Sequence, residues 1–133
     1  MLSELSTILS SFLQYSNQKY QWHWMHEGKA YDYRLQINGI IHGNETGSLP
    51  AILRIIKDFE SGKRNFGGTL SICLGNPEAA RLDQRFVEKD LNRLFLDHSD
   101  QSHEGRRSKE LMPIFDQADM LIDLHQTMLA SNQ

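Results

Sequence analysis

Two spacings of apolar residues take turns along the chain. Leu2, Leu5, Ile8, Leu9, Phe12 and Leu13 share one helical stripe with serines opposite, which predicts an amphipathic helix over residues 1–16. Its polar face lacks the Lys and Arg of a membrane-surface helix, so it is expected to dock on the domain. Residues 15–33, YSNQKYQWHWMHEGKAYDY, are polar and aromatic with a turn signal at Gly28, and predict a short hairpin leading into the next strand. Residues 34–41 alternate and turn apolar at INGII, as a strand entering a core does. Leu49, Ile52, Leu53, Ile56 and Phe59 return to helical spacing, with Pro50 in the first turn and Gly62 just past the end.

A second glycine-bounded apolar run, GGTLSICLG, reads as another strand. NPEAARLDQRF predicts a loop with a helical turn, and DLNRLFLD a partly apolar connector. Residues 97–108 are uniformly polar and are expected to form a surface loop. Helical spacing resumes over KELMPIFDQA, where Pro113 weakens or kinks the helix. ADMLIDLHQT is the third strand candidate, its apolar run stopping at Asp123 and His125. This order predicts an α/β fold, a largely parallel or mixed sheet flanked by helices. Such sheets gather ligands outside the carboxyl ends of their strands. Two of the strand candidates run into a histidine, His42 and His125, so neighbouring parallel strands would set both imidazoles on one rim.

Composition narrows the class. With 133 residues, 39% of them apolar and 23% charged, residues 1–133 are enough for one domain with a core, the candidate site lying within about 34–127. A net charge of −3 leaves no electrostatic footprint for nucleic acid, and the cluster Arg106, Arg107 and Lys109 is too short to make one. No apolar stretch reaches the roughly 20 residues of a membrane span, and the N-terminus lacks the positive and apolar regions of a secretory signal. The single cysteine, Cys73, excludes an internal disulfide and sits in an apolar run, as a buried inert thiol would. A cytoplasmic location is the expectation.

His42 and Glu45 stand three apart, with Gly43 allowing the backbone to bend between them. Two histidines and a carboxylate form a catalytic zinc set with one open position, so the pair is either half a metal site or a helix N-terminus with Glu45 at the positive end. His125 is the third ligand candidate, with Asp123 near enough to orient the site. Arg85, Asn92 and Arg93 suit recognition of a carboxylate and a carbonyl, or equally form ordinary ion pairs with Asp83, Glu88 or Asp90. His23 and His26 have H-x-x-H spacing, but flanking Trp22 and Trp24 favour a packed surface. His98 and His103 are expected in solvent.

GIIHGNETG, LGNPEAARLDQRFVEKDLNRLF and LIDLHQT, in that order, resemble the succinylglutamate desuccinylase/aspartoacylase family, a branch of the zinc carboxypeptidase-like fold. The resemblance covers roughly residues 34–127. It implies one zinc ion per chain on His42, Glu45 and His125, and substrate binding by Arg85, Asn92 and Arg93, with Arg85 stabilising the oxyanion. Members hydrolyse the amide bond of an N-acyl amino acid. Their catalytic glutamate lies well downstream of the DLH motif, whereas QTMLASNQ, the eight residues after His125, holds no carboxylate side chain. The resemblance thus implies a truncated chain without the general base, weakly active or inactive alone. Glu88 and Glu104 are the nearby alternatives, and spacing recommends neither. The competing readings are a non-catalytic zinc- or ligand-binding module and a carboxypeptidase-type metallopeptidase. An incomplete sheet would expose an edge or an apolar face, a route to homo-oligomers.

Overall fold

A computed structural model describes residues 2–17 and 19–127. The elements run α1 (Leu2–Tyr15), β1 (His23–Glu27), β2 (Arg34–Gly39), α2 (Leu49–Glu60), β3 (Thr69–Leu74), α3 (Pro77–Arg81), a 3-10 turn over Leu91–Arg93, α4 (His103–Phe115) and β4 (Met120–Asp123). The four strands form one mixed sheet in the order β1-β3-β2-β4. β2 is parallel to both β3 and β4, and β1 is antiparallel to β3.

Period-two alternation gives the sheet two unlike faces. Trp24, Leu70, Ile72 and Leu74 join Leu9 and Phe12 of α1 and Leu49, Ile52 and Ile56 of α2 in the larger core. Toward α4 the alternate positions are His23, Gln36, Asn38, Ser71 and Cys73, all buried. Here Leu91, Leu111 and Ile114 pack with Cys73 and Ile41. Each buried polar group on this face then needs a partner. His23 Nε2 lies 2.7 Å from Ser71 Oγ, Gln36 Nε2 donates to Asn38 Oδ1 at 2.9 Å, and Asn38 Nδ2 donates to Asp123 Oδ1 at 2.8 Å. Burial pushes the His23 imidazole down to about 4, helped by the charges of Arg34 and Arg107. It also pushes the Cys73 thiol up to about 12, as expected of an inert one.

Two sequence expectations are corrected. The segment around Trp22 and Trp24 forms no hairpin with β2; β1 lies on the far side of β3. The chain leaves it through Gly28, whose N–H bonds Gly68 O at 2.8 Å and where a Cβ would stand 2.1 Å from Phe66 O. The polar stretch 97–108 is no simple surface loop, because α4 begins inside it at His103. Ser102 caps that helix, its Oγ accepting from Gly105 N at 3.1 Å. Glu104, Arg107 and Ser108 are buried. Arg107 can be, since it donates to the carbonyls of Gly75 and Leu74 at 2.8 Å. Apolar periodicity cannot see a helix face buried through polar groups. The helix also continues through Pro113. His98 is exposed as expected, while His103 is half-buried in the first turn of α4.

Candidate metal centre

The shared rim forms because β2 and β4 run parallel in register, Leu35 opposite Met120 and Asn38 opposite Asp123. Past β2 the backbone turns sharply at Ile40, whose φ of 47° is unusual for a β-branched residue and is a local strain beside the site. The O atoms of Gly39 and Ile40 accept from Gly75 and Asn76, which ties the turn to the end of β3. His42 and Glu45 follow in a tight turn closed by Glu45 N donating to His42 O at 3.1 Å. Gly43 is needed there: a Cβ would stand 2.4 Å from the backbone of Ala79 and Ala80 in α3. Because α2 starts only at Leu49, with Ser48 at the N-cap position but making no side-chain cap bond, Glu45 lies outside the helix, which removes the helix N-terminus reading.

His42, Glu45 and His125 converge, each offering a ligand atom within 4.8 Å of the others. His42 Nδ1 lies 2.5 Å from Glu45 Oε2, and His125 Nδ1 lies 3.1 Å from Glu45 Oε1. The two rings sit 5.2 Å apart between centroids. His42 Nε2 is 2.9 Å from Asp90 Oδ1, an acceptor that calls for Nε2–H. Nδ1, on the other side of the ring, faces the Glu45 carboxylate, where it either donates an N–H or offers a lone pair to an ion shared with Glu45. A carboxylate on the far nitrogen of a histidine is also the usual support for a metal-ligating imidazole. Ligand atoms on a tetrahedral zinc stand about 3.3 Å apart for bonds of about 2.0–2.1 Å, so the donor set fits such an ion.

Burial opposes ionisation of both acids and is outweighed. Gln126 N–H and the two histidines hold Glu45 below the usual carboxylate range. His42, Asn92 N–H and Arg85 do the same for Asp90. Arg85 stands at the rim, 3.9 Å from Glu45 Oε2 and 3.6 Å from Asp90 Oδ2. Arg93, more exposed, lies 3.8 Å from Asp90 Oδ2, and Asn92 donates its backbone N–H to Asp90 Oδ1 at 3.0 Å. Both arginines therefore share one carboxylate while keeping exposed faces that a ligand could reach. Asp123 does not bond His125; it accepts from Asn38 and pins the end of β4.

The sequence reading passed over two groups, Asp90 and Gln126. Asp90 entered only as a surface ion-pair partner, though an aspartate two residues before Asn92 is the signature of an Asx turn. Gln126 donates its N–H to Glu45 Oε1 at 2.7 Å and accepts Gly47 N–H on its side chain at 3.0 Å. Glu104 is fully buried and accepts four hydrogen bonds, so it has no free oxygen for base catalysis. Glu88 is exposed and receives the His103 N–H at 3.0 Å. His23 and His26 form no metal pair: His26 Nε2 lies 3.2 Å from Phe66 O and its ring packs on Phe59.

Comparison with known proteins agrees with the geometry. Residues 32–132 match the model of the succinylglutamate desuccinylase/aspartoacylase catalytic domain. A succinylglutamate desuccinylase of Yersinia pseudotuberculosis is 32% identical over 68% of this chain and 31% of its own length. One from Serratia proteamaculans is 29% identical, covering 77% and 35%. Among solved structures, an aspartoacylase family protein from Mesorhizobium loti superposes with a TM-score of 0.69 at 26% identity, covering 77% of this chain and 33% of that one. Succinylglutamate desuccinylase from Vibrio parahaemolyticus gives 0.64 at 28% identity, covering 77% and 37%. The chain spans about a third of the length of these relatives.

Proposed function

The chain belongs to the succinylglutamate desuccinylase/aspartoacylase family, and on that premise we propose that it carries the zinc-holding and substrate-binding part of a hydrolase for the amide bond of an N-acyl amino acid. The observation that carries this reading is the meeting of two imidazole Nδ1 atoms on the Glu45 carboxylate, with Arg85 beside it. His42, Glu45 and His125 would hold the ion. Bound zinc supplies a Lewis acid and lowers the pKa of a water molecule. Asp90 fixes the His42 ring so that Nδ1 points into the site. Arg85 directs its guanidinium to the same place, where it would stabilise negative charge developing on the scissile carbonyl oxygen. Arg93 and Asn92, on the adjoining turn, would receive the substrate carboxylate.

The general base is the part the described residues do not offer. Glu104 is saturated, and Glu88 lies exposed against the start of α4. We assign the base to a carboxylate outside these residues, so this chain alone would bind zinc and turn over slowly or not at all. That also keeps a second reading, a zinc-binding module without catalysis. Elemental analysis of the wild-type chain should find one zinc per chain, and His42→Ala should find none. Equal, near-zero metal in both proteins would refute the site. Hydrolysis of N-succinylglutamate, N-acetylaspartate and C-terminal peptides by a protein extended to the length of the relatives then separates the readings. Activity on peptides alone would favour a carboxypeptidase, and zinc without turnover would favour the module.

A further inference from the structure

Glu104 lies on α4, away from the candidate ligands in sequence, and its surroundings are unusual. It is fully buried, yet the donors it engages are all neutral: Asn76 Nδ2 at 2.9 Å and the N–H groups of Val87, Glu88 and Lys89 at 2.7, 2.9 and 2.9 Å. Three consecutive backbone amides pointing at one carboxylate fix the path of that segment. The next residue is Asp90, which reaches His42 Nε2. Two residues before Val87 is Arg85, whose carbonyl accepts the Gly43 N–H at 3.0 Å. Lys89 adds an ion pair to Asp100 at 2.5 Å, beside the start of α4. Gly105 lets this corner close, since a Cβ there would stand 2.4 Å from Asp100.

We propose that Glu104 is a positioning residue for the metal centre: its carboxylate, clasped by the amides of Val87, Glu88 and Lys89, holds Asp90 against His42. The inference rests on the metal reading above and gives that site a support on a different element. The carboxylate acts through Asp90 and touches neither metal nor substrate. Its route is testable because the effects of Glu104 and Asp90 must then overlap.

Zinc affinity by chelator competition should be measured for the wild type, Glu104→Gln, Asp90→Asn and the double variant. Glu104→Gln is expected to stay folded and to bind zinc about 10-fold more weakly, in the range seen for outer-sphere partners. The double variant should bind no more weakly than Asp90→Asn alone. Wild-type affinity in Glu104→Gln, or a double variant weakened by the full product of the two effects, would overturn the proposal. Should Glu104→Gln unfold, Asn76→Ser serves instead: it keeps an acceptor for the α3 cap but removes the donor to Glu104, and must lower affinity in the same direction. If the wild type takes up no zinc, the metal reading fails and the clasp is judged without metal. The His42 ring 15N shifts in Glu104→Gln should then lose the signature of an Nε2–H held by a carboxylate; unchanged shifts would overturn it.

Discussion

The two histidines that face Glu45 live in opposite surroundings. His42 is buried with both ring nitrogens engaged, inside a turn pressed on α3 and backed by Asp90 and the Glu104 clasp. The His125 side chain is 38% exposed and follows a four-residue strand that pairs only with β2 among the described residues. That strand also shows Met120, Leu121 and Ile122 to solvent. One half of the site is preorganised by three layers of contacts, and the other hangs on an edge strand. The difference predicts where affinity resides: loss of support should cost more on the His42 side than on the His125 side.

The largest effect should come from Glu45→Ala, which removes the carboxylate that both halves share. Zinc affinity should fall by more than about 100-fold, beyond the outer-sphere range, as a chelator titration would read. Next, Asp90→Asn should weaken binding by about 10–100-fold while Gln126→Ala costs less than about 10-fold. Equal losses in the two variants would erase the asymmetry. Gly43→Ala should then lower stability by about 1–3 kcal/mol in thermal unfolding, because its Cβ meets backbone that cannot yield. The smallest effect is a pH dependence. Burial raises the Glu104 carboxyl, but the Lys89, Asn76, Val87 and Glu88 donors more than offset this and hold it below its usual value. Its stabilising contribution is therefore complete above the ordinary glutamate pKa of about 4.3, and is lost as pH falls through the lower folded value. Glu104→Gln should flatten the acid limb of the denaturant midpoint against pH; an unchanged limb would remove Glu104 from that account.

How much of this was legible follows from what carries each element. β2, β3 and α2 were readable because apolar strand runs and helical spacing are direct consequences of packing on a core, and β4 was readable from its apolar run although that run is exposed here. The strand ends then placed His42 and His125 on one rim, so their meeting with Glu45 could be anticipated, while their reading as zinc ligands came from the family resemblance. The start of α4 was not readable, since Glu104, Arg107 and Ser108 enter the interior through hydrogen bonds rather than apolar area. Partner choice across the sheet was equally hidden. Nothing local in HWMHE tells β1 to pair with β3 rather than β2, because that depends on where Trp22 and Trp24 find a core. Asp90 was missed for a related reason: its role lies in a contact 48 residues away in sequence.

The parallel pairing of β2 with β4 also sets a timetable during synthesis. Glu45 and His125 meet across 80 residues of chain, so a ribosome adding about 5–20 residues per second delivers His125 roughly 4–16 s after Glu45. Through that interval the nascent chain presents His42 and Glu45 as a two-point site that lacks its closing strand. On the proposed metal reading, tight capture would have to await the emergence and docking of β4.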